Sequence, residues 1–402
     1  ADDASVLPKG VATVSMENKF YLPVDKRYNH DGEAEDVAKY FNATLNSTVF
    51  PDLATLEKAF GLPTGSANVG NSVVSFKYKF DILDTVIGYG ITDKLTAGVK
   101  VPYRWSSNTV TAQLDTSNAT VGKNVAYGLD STPAALRNVP LVPKGFPTYA
   151  PLTTEDILNL LSGGLYINDK LAIPGYGFKR FESWSHSGFD DIEAGLKYQY
   201  FKNDNWRLAF TGGVRIPTGT MDDPWNLVDY ASTGGYWGLL FRAHNDYTGI
   251  KDLVLDATLR YDVNLTRTKS VMVTDVYHPL VNDLETVKFY PGDIAELEFS
   301  ANYQFLKGTT LSLLYKYGHG FKTTVSGVSR QLTSDEQSAL QKDTDYNEQI
   351  FLATLSYSTL PLYMEKKFPF PLNAWVSYRN RFAGTNNVLK SQYIALGLQV
   401  LF

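Results

Sequence analysis

The sequence contains no cysteine and no long apolar run. Because none of the 402 residues is a cysteine, the chain holds no disulfide scaffold, cysteine-ligated metal or cysteine nucleophile. No stretch of about 18 apolar residues occurs, which excludes a helix that crosses a membrane. The 42 acidic residues outnumber the 37 basic ones, so the net charge is −5, and a general nucleic-acid binder is excluded as well.

Charge is scarce and aromatic residues are abundant. Charged residues make up 20% of the chain, below the usual quarter, whereas aromatic residues make up 13%, with tyrosine the most frequent. The mean hydropathy of −0.20 is ordinary for a soluble protein. It is equally typical of outer-membrane β-barrels, whose strands alternate apolar and polar residues. The length fits two or three ordinary domains or one large all-β domain.

Apolar and polar residues alternate with a period of two in twelve segments of the chain. The segments span residues 9–24, 72–91, 95–114, 183–201, 206–218, 233–248, 253–265, 293–306, 309–325, 346–359, 372–384 and 388–402. They exceed the roughly 5–6 residues of a soluble strand and are long enough for a tilted membrane crossing. We therefore predict an all-β fold, a transmembrane antiparallel β-barrel of about 12 strands that forms one domain over residues 1–402.

Short and long connections alternate along the chain. The short ones are residues 92–94, 202–205, 249–252 and 307–308, and the long ones are residues 25–71, 115–182, 219–232, 266–292 and 326–345. Bacterial barrels have short periplasmic turns and long extracellular loops, so this order predicts a first strand that rises from the periplasm. We expect the insertion 115–182 to gate or plug the pore. Residues 360–371 are an exception, because they form a longer connection where a short turn is expected.

Three of the long connections carry helix signals. Thr153 and Glu155 precede an apolar group that stops at Gly163, which predicts a short helix. Residues 333–341 and 52–60 predict two more. These helices are expected to decorate the extracellular loops.

Two features of the strands are irregular. The alternation slips by one residue within residues 80–85, which predicts a β-bulge. Pro102 and Pro217 lack the N–H of a ladder bond, so we place them toward the outer rim, where a sheet can kink or end.

Both ends of the chain point to the outer membrane of a Gram-negative bacterium. The chain starts with Ala1-Asp2-Asp3, which resembles the product of signal-peptide cleavage, although a trimmed chain would look the same. At the other end, Ile394, Leu396, Leu398, Val400 and Phe402 lie on one face of a final strand. An alternating strand that ends in Phe resembles the signal read by the bacterial outer-membrane assembly machinery.

Two stretches resemble a known family. Residues 188–222 read GFDDIEAGLKYQYFKNDNWRLAFTGGVRIPTGTMD, and residues 89–103 read YGITDKLTAGVKVPY. They resemble the core hairpin, and the "YGLTD" turn with its "VPY" strand end, of the outer-membrane channel family linked to the meta-pathway of phenol degradation. The resemblance implies a channel for small hydrophobic or aromatic compounds, related to long-chain fatty acid transporters. The polar insertion 25–71 departs from that pattern, and no segment matches the N-terminal hatch of those transporters.

The lumen is the candidate functional site. Period-two assignment places these charged residues on the inner face: Lys77, Lys79, Lys100, Arg104, Lys197, Arg207, Arg215, Arg242, Arg260, Lys316, Arg379, Arg381, Asp81, Asp191, Glu193, Asp256, Asp262, Glu296 and Glu298. The lumen then carries about +5 and the remainder about −10. The candidates for selectivity are Lys197, Arg207, Arg215, Arg242, Arg260, Glu296, Glu298, Arg379 and Arg381. Their charges either brace the wall through cross-strand ion pairs or form a constriction that favours anions.

No catalytic residue, metal site or cofactor is predicted. His186 and Ser187 are adjacent in a strand, so their side chains point to opposite faces and cannot work together. The other histidines, His30, His244, His278 and His319, form no metal-binding pattern. Aromatic residues near strand ends are expected to anchor the barrel at the membrane surfaces: Tyr103, Trp105, Tyr198, Tyr200 and Trp206.

The sequence predicts an outer-membrane channel for passive uptake of small solutes. These solutes are aromatic or hydrophobic compounds or small organic anions, and the expected partners are membrane lipid and lipopolysaccharide, with no nucleic acid. Three alternatives stay open: an outer-membrane hydrolase, a barrel around an electron-export cytochrome, and a surface or adhesion complex. About twelve strands make a narrow lumen for a cytochrome. The oligomeric state and the identity of the solute are not predicted.

Overall fold

The computed structural model describes residues 3–131, 133–273, 280 and 283–402, and its main sheet is a closed barrel. The barrel strands, numbered in chain order, are β1 (Ala12–Tyr21), β2 (Asn68–Thr92), β3 (Leu95–Asp115), β4 (Ile192–Lys202), β5 (Trp206–Ile216), β6 (Gly238–Ile250), β7 (Leu253–Asn264), β8 (Ile294–Leu306), β9 (Thr309–Gly320), β10 (Tyr346–Ser358), β11 (Leu372–Gly384) and β12 (Gln392–Leu401). Each strand pairs antiparallel with the next, and β1 also pairs with β12. The predicted all-β barrel of about 12 strands is confirmed.

The outward face of the barrel is apolar. Leu196, Leu259 and Leu396 point outward and are about half exposed. The aromatic residues predicted near the strand ends, Tyr103, Trp105, Tyr198, Tyr200 and Trp206, lie on outward positions of β3, β4 and β5. This surface is of the kind that faces lipid, with aromatic side chains at its borders.

No helix in the described part of the chain has the length and apolar character needed to cross a membrane.

β2 contains no bulge within residues 80–85, so that prediction is wrong. Its pairing with β1 and β3 runs through residues 80–85 without a register shift. Instead, the surroundings of its two faces change along the strand. In the extracellular part of the strand, Phe76 and Phe80 point into the barrel and are buried under the loops. In the periplasmic part, Ile87 and Tyr89 point away from the barrel and are exposed. The apolar face switches sides because its surroundings change, while the backbone stays regular.

Among the predicted strands that are shorter than their alternation suggested are those over residues 183–201 and 309–325. Residues 183–201 split at Asp190 into an outer strand, Trp184–Phe189, and β4, which both pair with β3. The break lies beside Pro102, whose carbonyl accepts a hydrogen bond from Asp190 N at 3.0 Å and which has no N–H to donate. The segment 309–325 also ends early, because β9 stops at Gly320.

Small sheets and helices cover the outer end of the barrel. The outer strands are Lys26–Tyr28, Ala34–Asp36, Thr44–Asn46, Val121–Asn124, Leu141–Pro143, Tyr149–Ala150, Gly164–Ile167, Lys170–Pro174, Trp184–Phe189, Arg267–Met272, Leu284–Tyr290 and Thr324–Gly327. The helical elements are α1 (Asp52–Phe60), α2 (Ala134–Arg137), α3 (Thr154–Leu161), α4 (Ser334–Gln341) and a 3-10 turn at Lys39–Phe41, with α5 (Leu360–Met364) at the periplasmic end. The three predicted helices are confirmed as α1, α3 and α4. Capping boxes at Thr153 and Thr333 start α3 and α4.

The loops after β1 and β3 form a lid with its own apolar core. We use "lid" for residues 22–67 and 116–183 within the described part of the chain. Leu53, Val121 and Leu165 are almost fully buried in this core, which continues onto the inward face of β2. The insertions expected at 25–71 and 115–182 therefore fold together above the barrel.

Three outer strands, Arg267–Met272, Leu284–Tyr290 and Thr324–Gly327, form one sheet, which we call the second outer sheet. One arginine holds this sheet to α4. Arg330 lies 2.8 Å from a carboxylate oxygen of Asp283, and 2.9 Å from oxygens of Glu285 and Glu336. Hydrogen bonds from Arg330 and from Thr333 lower the pKa of Glu336 to about 2. In the folded protein this carboxylate therefore stays ionised down to a pH of about 2. The stability that the pairing adds is complete above pH 4.5 and is lost as the pH falls from there toward 2.

Barrel closure predicts a specific disulfide. Ala12 and Phe402 exchange two backbone hydrogen bonds, of 3.2 and 2.9 Å. Bonded and non-bonded pairs alternate, so Ser15 and Gln399, which pair in register, form a close non-bonded pair. Because the chain has no other cysteine, we expect S15C/Q399C to oxidise to a single intramolecular disulfide in the folded barrel, detected as a mobility shift on a non-reducing gel.

The control for this disulfide is the pair S15C/A395C. Ala395 lies on the same inward face of β12, four residues from Gln399 and therefore about 14 Å along the strand. This pair should stay reduced. Equal oxidation of the two pairs would contradict the register at which the barrel closes.

Arg330 predicts how the second outer sheet responds to substitution and to acid. R330Q removes the charge shared by three carboxylates, so we expect faster chymotrypsin cleavage between β7 and β10 at neutral pH, with the barrel intact. The cleavage rate of R330K should lie between those of the wild type and R330Q, because one ammonium group cannot reproduce the forked geometry of the guanidinium. In the wild type, the same region should loosen only as the pH falls from about 4.5 toward 2. Equal cleavage of R330Q and wild type would show that Arg330 does not hold the sheet.

Candidate functional site in the barrel lumen

The nine residues predicted for selectivity all lie on inward positions, and ion pairs occupy most of them. The ion pairs of the predicted arginines are Arg207–Asp246 (2.9 Å), Arg242–Glu193 (3.1 Å), Arg260–Glu298 (3.3 Å), Arg381–Glu348 (2.8 Å) and Arg215–Asp262. These groups are mostly shielded from solvent, so each charge needs its partner to offset the cost of desolvation.

The two remaining predicted cations bind other groups. Lys197 Nζ donates to the backbone carbonyl of Asp3 at 2.7 Å. The guanidinium of Arg379 lies 5.5 Å from the centre of the Tyr393 ring, and Arg379 Nη1 donates to Ser391 Oγ at 3.2 Å. The cations predicted for selectivity therefore have structural partners in the closed barrel.

We call the ion pairs of the lumen the charged belt, and those on β7 to β11 connect across strands into one continuous network. Arg260 on β7 reaches Glu296 and Glu298 on β8, and Lys316 on β9 reaches Glu296 and Glu348. Arg381 on β11 completes the series at Glu348. The sequence placed Arg260 between two aspartates of its own strand, whereas its ion pairs are to the glutamates of the next strand.

The lumen is closer to neutral than predicted. Lys77, Lys79 and Asp81 share the outward face of β2. They were predicted to face inward because the apolar residues between them look lipid-facing, whereas in this extracellular part of the strand the apolar residues are buried inside. The inward positions instead hold further charged residues that the sequence assignment left out: Glu17, Lys19, Asp84, Asp246 and Glu348. Four of these five are carboxylates, so the predicted excess of positive charge falls.

The N-terminal segment occupies the periplasmic half of the lumen. Ala4 is completely buried, and its N–H lies 2.9 and 3.0 Å from the two carboxylate oxygens of Asp246. Gln199 Nε2 donates to the Ala4 carbonyl at 2.7 Å, and Leu7 N donates to Thr96 Oγ1 at 2.8 Å. Residues 3–8 therefore form an internal plug held by side chains of the barrel wall. Ala1 and Asp2, where the predicted cleavage site begins, lie outside the described residues.

A cavity of about 670 Å³ lies between this plug and the charged belt. One part of its wall is a row of glycines without side chains, which we call the glycine row. Gly88, Gly98, Gly195 and Gly213 pair there in register across β2, β3, β4 and β5. Four neighbouring strands thus contribute no side chain at one level of the lumen. Volumes of roughly 300–1,000 Å³ suit small organic ligands, so the cavity is the candidate binding site.

An aromatic series runs from the lid into the barrel. Phe41, Phe76, Tyr78, Phe80, Tyr21 and Tyr393 follow one another with ring centroids 5.0, 6.3, 6.0, 5.9 and 4.9 Å apart. At its outer end, Phe41 and Phe181 line an apolar cavity of about 330 Å³ inside the lid. At its inner end, Tyr393 lies beside Arg379 of the lumen. The series joins an apolar cavity outside the membrane to the charged interior of the barrel.

The loop between β5 and β6 folds into the mouth of the barrel. Val228 is buried, and its carbonyl accepts hydrogen bonds from Trp184 Nε1 at 2.7 Å and Asn108 Nδ2 at 3.3 Å. The Tyr230 ring lies 5.0 Å from the ring of Phe80. The sequence predicted that residues 115–182 gate or plug the pore. Phe181 of that insertion contacts Phe41 and Phe76, and the loop between β5 and β6 adds a second cover at Phe80.

The geometry offers no catalytic constellation at His186. Its Nε2 lies 2.8 Å from Thr220 Oγ1, and it occupies an inward position while Ser187 points outward. In the described part of the chain, no group of acidic or histidine side chains could hold a metal ion. His278 lies outside the described residues.

Sequence reasoning missed the plug and the glycine row. The plug has no periodic pattern, because its contacts are made by backbone groups with distant side chains. The glycine row left a signal in the repeated strand centres TAGVK, EAGLK and TGGVR, each with a glycine two residues before a basic side chain. Its meaning depends on strand register, which places the three glycines at one level.

Comparisons with known proteins support this architecture. A family model described as the putative MetA-pathway of phenol degradation matches residues 152–387, more than half of the chain. An outer-membrane channel from Pseudomonas putida F1 is similar in structure, with a TM-score of 0.52 and 12% identity, over 100% of this chain and 99% of that chain. This likeness supports the barrel fold.

More distant structures also match. A FadL homologue of Pseudomonas aeruginosa has a TM-score of 0.35 and 10% identity, covering 99% of this chain and 91% of that chain. A monoaromatic hydrocarbon channel, CymD, has a TM-score of 0.33 and 9% identity, covering 98% and 89%. No curated protein matches the chain. The resemblance found at residues 188–222 is confirmed by the family match, and the chain belongs to the family described as the putative MetA-pathway of phenol degradation.

Proposed function

We propose that this barrel is a gated outer-membrane channel for passive uptake of small aromatic or hydrophobic solutes. The observation that carries the proposal is the aromatic series, which links the apolar lid cavity to the lumen through six successive rings. Aromatic faces offer a solute many similar and weak contacts, so it can advance without being trapped. Membership of the family and the barrel fold are consistent with this role.

The charged belt serves as a brace in this proposal. Its arginines and lysines are bound to carboxylates, so they offer less attraction to a passing anion than separate cations would. A polar network whose members are paired also makes the wall rigid. We therefore favour neutral aromatic solutes over small organic anions as cargo.

Passage requires two movements in this proposal. The outer loop that carries Val228 and Tyr230 must leave the aromatic series, and the N-terminal plug must leave the periplasmic half of the lumen. Between the two lies the cavity over the glycine row. The described state is therefore a closed one, with a solute-sized chamber between two gates.

Uptake by purified protein tests the proposal. In vesicles whose outer leaflet is lipopolysaccharide, the barrel should speed the entry of phenol and toluene relative to protein-free vesicles of the same lipids, and it should admit sugars of similar size more slowly than aromatics. Absence of any solute flux or single-channel conductance would overturn it.

The glycine row predicts a variant that blocks the chamber without disturbing the barrel. A Cβ at Gly98 would meet only Ile87 O, at 3.7 Å, so a side chain there has room to enter the cavity. We expect G98F to reduce aromatic uptake severalfold and leave thermal stability close to wild type. The matched control is A97F, one residue away on the outward face. Equal uptake by G98F, A97F and wild type would exclude this cavity as the route.

The plug predicts the opposite effect. Deletion of residues 3–8 removes the backbone groups held by Asp246, Gln199 and Thr96, so we expect a larger single-channel conductance. In a second variant, L7C/T96C, oxidation should tie the segment to the wall and keep the conductance at the wild-type level. A deletion variant with unchanged conductance would show that the segment does not limit passage.

A further inference from the structure

One periplasmic connection differs from the other turns. The connections 92–94, 202–205, 249–252 and 307–308 are short, and most of their residues are polar. Between β10 and β11 the chain instead reads LPLYMEKKFPF from Leu360 to Phe370 and contains α5. The alternating scheme of turns and loops does not require this length, so the segment needs an explanation of its own.

The segment is a defined loop closed at its neck by Thr359. This residue is buried, and its N–H donates to Leu372 O at 2.8 Å. Its hydroxyl donates to Phe370 O at 3.1 Å and accepts from Leu372 N at 2.8 Å. Three hydrogen bonds at one residue hold the two ends of the loop together, so its conformation is fixed from the barrel side.

The loop leans sideways along the rim of the barrel. Glu365 forms ion pairs with Lys307, in the turn between β8 and β9, and with Lys367 at 2.8 Å. Because Lys307 belongs to a neighbouring hairpin, this contact draws the loop over the periplasmic ends of adjacent strands. The pairs with the two lysines also lower the pKa of Glu365 to about 2, so it stays ionised and bound at neutral pH.

Apolar side chains of this loop are exposed. Met364 is 74% exposed, and Leu360, Tyr363 and Phe370 are each more than 40% exposed. Leu306, at the periplasmic end of β8, is 62% exposed. We call these five residues the rim patch. It continues the apolar outer surface of the barrel beyond the ends of its strands.

We propose that the rim patch is a lipid-binding surface that inserts into the periplasmic leaflet of the outer membrane, with Lys366 and Lys367 at the phosphate groups. Continuity with the lipid-facing wall favours phospholipid over a protein partner. An apolar face flanked by lysines is also the arrangement that lies in a membrane interface. Each basic residue near an anionic surface adds to this attraction, while the lysine stems contact the apolar region. Lys366 forms no ion pair within the described residues, so its charge is available to a headgroup.

Single labelled cysteines test the position of the patch, since the chain has none of its own. An environment-sensitive dye is attached to M364C, to L398C on the outward face of β12, and to D93C in a polar periplasmic turn. Each protein is placed in nanodiscs, whose two faces are open to the buffer. We expect brominated phosphatidylcholine to quench the dye at 364 about as strongly as at 398, and iodide to quench only the dye at 93.

The alternative outcomes are distinct. Quenching of the dye at 364 by iodide and not by bromine, as at 93, would overturn the proposal. So would oxidation of unlabelled M364C to a disulfide-linked dimer, which would assign the patch to contact between two copies.

The headgroup contact is tested separately. Raising phosphatidylglycerol from none to about a third of the lipid should increase the bromine quenching at 364, and K366Q should reduce that increase. The control is K94Q, in the short turn beside Asp93. An equal response of K366Q, K94Q and wild type would overturn the lysine contact.

Discussion

Closure of the sheet between β1 and β12 is the constraint on which the rest of this structure depends. In a hydrocarbon environment every backbone N–H and C=O of a strand must be paired with a neighbouring strand, so an open edge is not tolerated. The N-terminal and C-terminal barrel strands meet this requirement by pairing over nine positions. Once the sheet is closed, each residue of a strand faces either the outside or a confined lumen, and the alternation of the sequence becomes a division of environments.

The charged belt follows from this division. Basic residues that alternate with lipid-facing side chains are forced into a narrow interior, where a lone charge is costly. Carboxylates from neighbouring strands meet them, as Glu296 and Glu348 do around Lys316. The belt is thus the consequence of a closed wall, and it explains why many inward charges leave a small net charge. The cavity of the candidate site lies beside the glycine row, between the charged belt and the end of the N-terminal plug.

β2 illustrates how a local pattern can mislead. Phe76 and Phe80 alternate with lysines in the manner of a lipid-facing strand, yet they face inward, because the lid supplies an apolar core above the membrane. Farther along the same strand, Ile87 faces outward. A period of two reports which residues share a face, and it does not report what that face touches. The predicted bulge and the inward assignment of Lys77 and Lys79 were both wrong for this reason.

The sequence by itself determined the class of fold, the twelve strands, the three outer helices and the inward position of the nine lumen residues proposed for selectivity. These depend on spacing within a segment, which the order of residues states directly. Only the tertiary structure decided the partners of Arg260, the level shared by Gly98, Gly195 and Gly213, and the entry of Ala4 into the lumen. Those features depend on register between strands and on contacts between residues as distant as Ala4 and Asp246. Pairing across a closed barrel, rather than periodicity along one strand, fixes them.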